Sequence, residues 1–508
     1  MPHQLRKICL QFLAMILPAL ALAQRVVIPG DNPDPSVVKI GDTYWATATT
    51  SNWAPIFPLY KSGDLLTWES VGAVFNKAPE WADYYFWAPE ISYDNGKIYI
   101  YYSAHKKGGG LCLGVASADR PEGPYKDHGT LMCQDAGSID AYPQRDSSGK
   151  LYLIWKEDGN SINQPTPIWA MEMNEARTEL MGEKKELFRN DLAWEGNLVE
   201  GFSIARHNDY YYAFYSAAGC CGAGCNYVTG VARAKNVLGP WEKMDKPVLT
   251  DNAHWKCPGH GTPVEKDGKF YFLYHAYDRN GGVYTGRQAL LMQYKPREDG
   301  WLEFIHEGFY VHKPKDFYLE DFNAAKLSPA WQWSVFQQPV YTLKAGQLSL
   351  APSTTGAGTV LAQKTLMSEY TATTDIDLSK SNASGGVALI GDEKNMILVK
   401  RQRDSVQVIR YKDGNAEMIT GKKFGKSRNL VLRIAVTGGN QVRCFYSLDG
   451  KEYFELNESP LDSTTLPPWD RAVRVGLVAS GKTSSRLVVN SFIINYPTVT
   501  KAESPATD

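Results

Sequence analysis

Five times in its first 310 residues the chain runs from a Gly, Asp or Asn turn into a strand of alternating aromatic residues. The copies are GDTYWATAT (41–49), GKIYIYYSA (96–104), GKLYLIWKE (149–157), NDYYYAFYS (208–216) and GKFYFLYHA (268–276), and they start 53 to 60 residues apart. Alternation with period two marks half-buried strands. A repeat of about 50 residues that holds several strands is the size of one propeller blade. A second element recurs between the copies, as SGDLLTWESVG (62–72), ADRPEGPYKDHG (118–129) and AKNVLGPWEKMD (234–245). Each sets Pro or Gly near an aromatic residue, as the outer edge of a blade requires. Helical periodicity is weak, with one modest candidate over 174–187. The spacing predicts an all-β chain that opens with five blades closed on one axis.

Shortly before each aromatic strand stands an acid or a histidine: Asp34, Glu90, Asp140, Glu200 and His260, six to nine residues ahead of the turn. Equivalent positions in five blades form one ring, so four carboxyls and one imidazole are expected at one mouth of the channel. Like charges brought together raise some pKa values, and such clusters are found mainly where chemistry uses them. A solvated ring of loop acids would not need a common register. Two carboxyls in unlike surroundings are the equipment of glycosidic bond hydrolysis. Glu200, in NLVEGFSIA, has apolar neighbours expected to raise its pKa and suits the acid. Asp34 lies in DNPDPS (31–36), where Pro35 biases it toward extended backbone, and suits the base. Asp140, in GSIDAYPQRD, is placed to orient the acid and tune it by repulsion. Asp31 reads as structural.

PDPS before the first strand, WAPEI (87–91) before the second, SID (138–140), VEG (199–201) and GHG (259–261) together resemble glycoside hydrolase family 43 over roughly residues 25–312. That resemblance implies a five-bladed β-propeller and hydrolysis with inversion, with Asp34 as general base, Asp140 as pKa modulator and Glu200 as general acid. The chain departs from the family pattern at Ala141, where proline is common, and at Phe202, where a small residue or proline is common; Phe202 is expected to narrow the sugar pocket. Glu90 is expected at the substrate, and Trp87 reads equally as a sugar platform or a buried blade residue. Arg287, in TGRQALL, resembles an arginine that reaches the family's pocket. His260 falls where the family sometimes sets a histidine beside a central calcium or water. Imidazole is a poor ligand for so hard a cation, so a calcium there would be structural and mostly water-coordinated; the chemistry requires no cofactor.

Beyond residue 315 the blade signals stop and short alternating strands follow at sandwich spacing. The opening YLEDFNAAKLSPAWQWSVF (318–336) resembles the concanavalin-like β-sandwich of many family-43 xylosidases and arabinofuranosidases. Its role is read as packing on the propeller and walling one side of the pocket, with carbohydrate binding as the alternative. The domains are thus read as a propeller over 24–314 and a sandwich over 315–497, with a polar tail over 498–508. Residues 1–23 read as a cleaved export signal, with Arg6 and Lys7 before an apolar run too short to span a bilayer and Ala21-Leu22-Ala23 at the cut. The protein is then periplasmic or extracellular.

Net charge is −1, which gives no case for nucleic acid or an anionic membrane. Aromatic residues make 12% of the chain. That suits stacking on sugar faces, and equally an all-β core. Seven cysteines remain once Cys9 leaves with the signal: Cys112, Cys133, Cys220, Cys221, Cys225, Cys257 and Cys444. An odd number leaves at least one thiol free. CCGAGC (220–225) has no second Cys/His pair at zinc spacing; a local disulfide and unpaired thiols are both open there, and the pair is placed to rim the Glu200 pocket. The reading that unites these features is an exo-acting hydrolase, a monomer, releasing terminal α-L-arabinofuranosyl or β-D-xylosyl units from plant cell-wall saccharides. Its rivals are an endo-arabinanase and a sugar-binding propeller without catalysis; a lectin has no use for three converging acids. A retaining fructosidase would need motifs the chain lacks, and no G-x-S-x-G supplies a serine nucleophile.

Overall fold

Each aromatic copy forms the second strand of an antiparallel sheet, four-stranded in the first four blades and five-stranded in the fifth. The protein was analysed as a computed structural model that describes residues 24–306, 317–354 and 356–497. The export signal over 1–23, the boundary at 314/315 and the tail over 498–508 lie outside those residues. Blade 1 runs Ser36–Ile40, Thr43–Thr47, Ile56–Ser62 and Glu69–Phe75, and blade 2 runs Ala82–Asp94, Lys97–Lys106, Leu111–Ala118 and Lys126–Cys133. Blade 3 is Ser138–Arg145, Leu151–Glu157, Ile168–Met173 and Leu180–Phe188; blade 4 is Val199–His207, Tyr210–Ala217, Val228–Ala234 and Glu242–Lys243. Blade 5 holds Trp255–Lys266, Lys269–Asp278 and Arg287–Pro296, and both the N-terminal strand Arg25–Ile28 and the short strand Leu302–Phe304 pair with Arg287–Pro296. First strands of neighbouring blades touch in cyclic order, so the sheets close on an axis.

The alternating aromatics explain why the blades stack. Their side chains fill the spaces between sheets, as Tyr101, Leu113 and Trp155 do between blades 2 and 3, and Phe214, Phe272 and Tyr294 between blades 4 and 5. Burying one such side chain contributes roughly 1.5–3 kcal/mol. The predicted outer-edge segments do supply fourth strands, Glu69–Phe75, Lys126–Cys133 and Glu242–Lys243. The helix expected over 174–187 does not form. Leu180–Phe188 is the outermost strand of blade 3, paired with Ile168–Met173, and its charged residues face solvent because no further strand covers them.

Two packed sheets of nine and six strands make the second half, around a core that includes Trp331, Leu432, Leu477 and Phe492. This sandwich is joined to the propeller by a short pairing of Trp333–Ser334 with Trp53–Ala54. Asp31 contributes a second tie: its Oδ2 accepts from Arg474 Nη2 at 3.0 Å and from the Ala472 amide at 3.1 Å, which gives it the structural role expected of it. Among the described residues three disulfides form, Cys112–Cys133, Cys220–Cys221 and Cys225–Cys257, and Cys444 stays free and buried in the sandwich.

Candidate active site

At the mouth of the channel the equivalent position of each blade is in the left-handed backbone region: Asp34 (φ 50°), Ala88 (45°), Asp140 (61°), Gly201 (62°) and His260 (41°), with Tyr85 and Cys257 as further left-handed residues in the first strands of blades 2 and 5. In blades 2 to 5 the pairing of the first strand shifts register across that residue. Such bulges bend a strand and re-aim its side chains. The true ring is therefore Asp34, Ala88, Asp140, Gly201 and His260. Glu200 precedes its ring position by one residue, and Glu90 follows its own by two. Asp34 is not in the extended backbone expected before proline; aspartate tolerates the left-handed region, and there its amide donates to His275 Nδ1 at 3.0 Å. At Gly201 a Cβ would lie 2.9 Å from the His260 ring, so only glycine lets blades 4 and 5 approach this closely.

Asp34 is held by a fixed set of donors. Arg287 Nη1 donates to its Oδ1 at 3.0 Å and the Thr49 hydroxyl to its Oδ2 at 2.7 Å. Burial alone would raise its pKa, but Arg287, His260 and His275 outweigh that and hold the carboxyl far below its ordinary range. His275 is fully buried, and desolvation, with Arg287 close by, lowers its pKa to about 4, so it is neutral. His260 stands between two acids, its Nδ1 3.5 Å from Asp34 Oδ1 and 3.8 Å from Asp140 Oδ2.

Glu200 does not have the raised pKa its apolar neighbours in sequence predicted. Burial does push it up, but Lys156 Nζ donates to its Oε2 at 2.6 Å and Tyr227 to its Oε1 at 2.8 Å, and the net shift is downward. Lys156 also reaches Asp158 Oδ1 at 2.8 Å. The raised carboxyl is Asp140, at about 6, through its burial and, despite His260, the repulsion of Glu200. Its Oδ2 accepts the Gly201 amide at 2.9 Å, which ties the backbone beside Glu200 to Asp140.

One cavity of about 280 Å³ takes in Asp34, Asp140, Glu200, His260 and Arg287. Trp87 lines it, with its indole donating to Asp470 Oδ2 at 3.1 Å and its ring stacked on Tyr85. Two expected contacts fall elsewhere. Glu90 does not line the cavity: two residues past the bulge, it lies within the channel, where the Thr262 hydroxyl donates to it at 3.1 Å and burial raises its pKa well above the ordinary range. Phe202 points away into the core beside Phe188 and Trp241, because the side chain two residues after Glu200 crosses the bulge at Gly201.

Other residues of the site escaped the sequence reading. Thr49, Ser103, Lys156, Ser216 and His275 bond the ring residues or Glu200, and all sit in the last two positions of the five aromatic copies. The signal was a change from aromatic to polar at the end of each copy. Trp469 and Asp470 come from the sandwich: Asp470 carbonyl oxygen accepts Arg287 Nη2 at 3.0 Å, and Trp469 stands edge-on to Trp87. Nothing near Trp469 in sequence announces this. Among the described residues no group of three His, Cys, Asp or Glu side chains is arranged to hold a metal ion. His260 faces two carboxyls already engaged by Arg287 and an amide, so these side chains offer no set of direct calcium ligands.

The sequence model of the glycosyl hydrolases family 43 matches residues 23–302. The chain belongs to that family. A second model, the beta xylosidase C-terminal concanavalin A-like domain, matches residues 319–488. Among curated relatives, this family-43 chain is 28% identical over 300 residues to the xylosidase/arabinosidase 43B of Humicola insolens, 54% of each chain, so it spans about half the length of that relative. It is 23% identical over 471 residues to the non-reducing end alpha-L-arabinofuranosidase BoGH43B of Bacteroides ovatus, 82% of this chain and 84% of the other. The fold is that of the family-43 protein BlXynB of Bacillus licheniformis, with a TM-score of 0.79 at 22% identity over 93% of this chain and 100% of that one.

Proposed function

We propose that this family-43 chain is an exo-acting hydrolase that releases terminal α-L-arabinofuranosyl or β-D-xylosyl units from plant cell-wall saccharides with inversion. The observation that carries this reading is one small cavity lined both by Asp34, locked as a carboxylate, and by the mutually repelling pair Asp140 and Glu200. Asp34 takes a proton from a water, which attacks the anomeric carbon from the face opposite the leaving group. Glu200 gives a proton to the glycosidic oxygen as the bond breaks. In the free site Lys156 favours ionised Glu200 and the proton resides on Asp140 up to a pH of about 6. A saccharide that displaces water disfavours two adjacent carboxylates. The Asp140–Glu200 pair therefore keeps one proton, and Glu200 is the member that delivers it. After cleavage Asp34 is protonated and Glu200 ionised, and both reset against solvent. Arg287 fixes the charge of Asp34, and Asp140 is the positioning residue for Glu200.

The exo mode is supported by Trp469 and Asp470, which stand at one side of a cavity smaller than the roughly 300–1,000 Å³ of drug-sized sites. The names of the two relatives, xylosidase/arabinosidase and non-reducing end alpha-L-arabinofuranosidase, support the same sugars and the same end of the chain. Three disulfides suit an oxidising compartment and thus an exported protein. We take the working form to be a monomer, which light scattering checks. A panel of aryl glycosides, α-L-arabinofuranoside, β-D-xylopyranoside and β-D-galactopyranoside, tests the activity, with Asp34→Asn as control, because loss of the base acts whatever the leaving group. Release of a pentose that the control loses is expected. Tight saccharide binding without release from any member would favour a lectin instead.

A further inference from the structure

Cys220 and Cys221 are bonded to each other, and both line the cavity that holds Asp34, Asp140 and Glu200. Resting on the reading of that cavity as a saccharide site, we propose that this disulfide between adjacent residues is a substrate-facing wall that sets affinity for the sugar. A pentose offers hydroxyls around its rim and C–H groups on its faces. Charged and polar residues line much of this cavity, and they can serve the hydroxyls. The C–H faces need apolar, polarisable surface, which Trp87, Trp469, Leu198 and the two sulfur atoms supply. Sulfur suits that task because it is soft and weakly hydrated.

The loop is built to hold the pair still. Cys225–Cys257 ties its far end to the first strand of blade 5, and the Gly219 amide donates to Asn226 Oδ1 at 2.6 Å while the Asn226 amide returns to the Gly219 carbonyl at 2.9 Å. The Gly222 amide donates to the Tyr277 hydroxyl at 3.2 Å. Cys220 packs against the cluster that contains Tyr227, whose hydroxyl bonds Glu200. The wall thus adjoins the proposed acid. A covalent ring has no side-chain freedom to lose when sugar binds, whereas two thiols would each have rotamers to freeze.

Accessibility makes the idea testable in the intact protein. Cys220 and Cys221 are partly exposed, whereas Cys225 and Cys257 are buried. Cys133, of the third disulfide, is exposed, so the reduction is carried out in a Cys112→Ser/Cys133→Ser background, where the adjacent pair is the first that a dithiol reductant reaches. It transfers two electrons and two protons: the Cys220–Cys221 S–S bond breaks to two thiols, and the reductant closes to its own cyclic disulfide. Limited dithiothreitol treatment, with alkylation and peptide mass spectrometry to show that only Cys220 and Cys221 are opened, is compared with Cys220→Ser/Cys221→Ser. Both forms should raise KM for the pentoside, and the inhibition constant of the free pentose, about tenfold, equal to ~1.4 kcal/mol of lost binding. The larger share of the loss should appear in KM, and dithiothreitol should leave the double variant's constants where they are. Constants within twofold of the unreduced background in the selectively reduced enzyme would overturn the wall, even if Cys220→Ser/Cys221→Ser fails to fold. Wild type that neither cleaves nor binds any pentoside would overturn the saccharide reading instead.

Discussion

Two carboxyls that line the cavity are similarly buried, Asp34 at 8% and Glu200 at 7% exposed, and each is bonded to a cation. Their surroundings nevertheless differ in kind. The groups bonded to Asp34 are fixed: a guanidinium anchored by the Asp470 carbonyl, a threonine hydroxyl and a neutral histidine that takes its amide; His260, farther off, is shared with Asp140. Around Glu200 the partners are themselves shared. Lys156 divides its ammonium between Glu200 and Asp158, and Asp140 titrates near 6 beside them. At one end the charge is pinned by a guanidinium; at the other Asp140 and Glu200 repel each other and titrate as a pair. A base that must be ionised in every resting molecule is best served by rigid donors. An acid must gain and lose its proton in each turnover, so it needs a neighbour that competes for it.

The contrast is most severely tested by removing the two carboxylates. Asp34→Asn should lower kcat by about 10²–10⁴ whatever the leaving group, because activation of water is lost. Glu200→Gln should lose about as much on an unactivated oligosaccharide, but far less on an aryl glycoside whose leaving group needs no proton. Equal losses for Glu200→Gln on both substrates would erase the distinction. Next in size is Arg287→Met. Without the guanidinium the pKa of Asp34 rises, so the acid limb of kcat/KM should move to higher pH, together with a fall of about 10²-fold; a lysine at 287 restores the charge without the second bond, so recovery should be partial. An acid limb that stays in place would disconnect Arg287 from the base.

Lys156→Met probes the opposite end. Burial then acts on Glu200 unopposed by the ammonium, so its pKa rises and the basic limb of kcat/KM should shift upward while the acid limb stays. The smallest effect expected is on stability in Asp140→Asn. A carboxyl with a folded pKa near 6 and an unfolded one near 4 is favourable to the fold below about 4 and loses that contribution as pH rises through 6. Asparagine escapes the penalty and keeps an oxygen for the Gly201 amide. The variant should therefore melt a few degrees above wild type at pH 8 and show little or no gain at pH 4, measured by calorimetry. A gain of equal size at both pH values would assign the effect to packing.

Much of this was legible in one dimension, for identifiable reasons. Strand alternation is local, so the five copies announced five blades, and the bland outer-edge motifs announced fourth strands. The ring was legible only to within two residues. A bulge inserts its extra residue without altering the composition of a strand, so nothing marked Ala88 as the partner of Asp34 or placed Glu90 past it. Phe202 was misread for the same reason: its direction depends on the turn of the backbone at Gly201. The pKa of Glu200 was judged from flanking residues, yet the residue that decides it, Lys156, is 44 positions away and lies on the next blade.

Period and spacing by themselves determined an all-β propeller followed by a sandwich, with Asp34, Asp140 and Glu200 at a common mouth, because these follow from side-chain alternation and from closing repeats on an axis. Tertiary structure alone decided which carboxyl holds a proton and what walls the pocket. Charge states depend on ångström-scale approach of groups from different blades, and the contacts of Trp469 and Asp470 with Trp87 and Arg287 exist only once the sandwich is docked on the propeller.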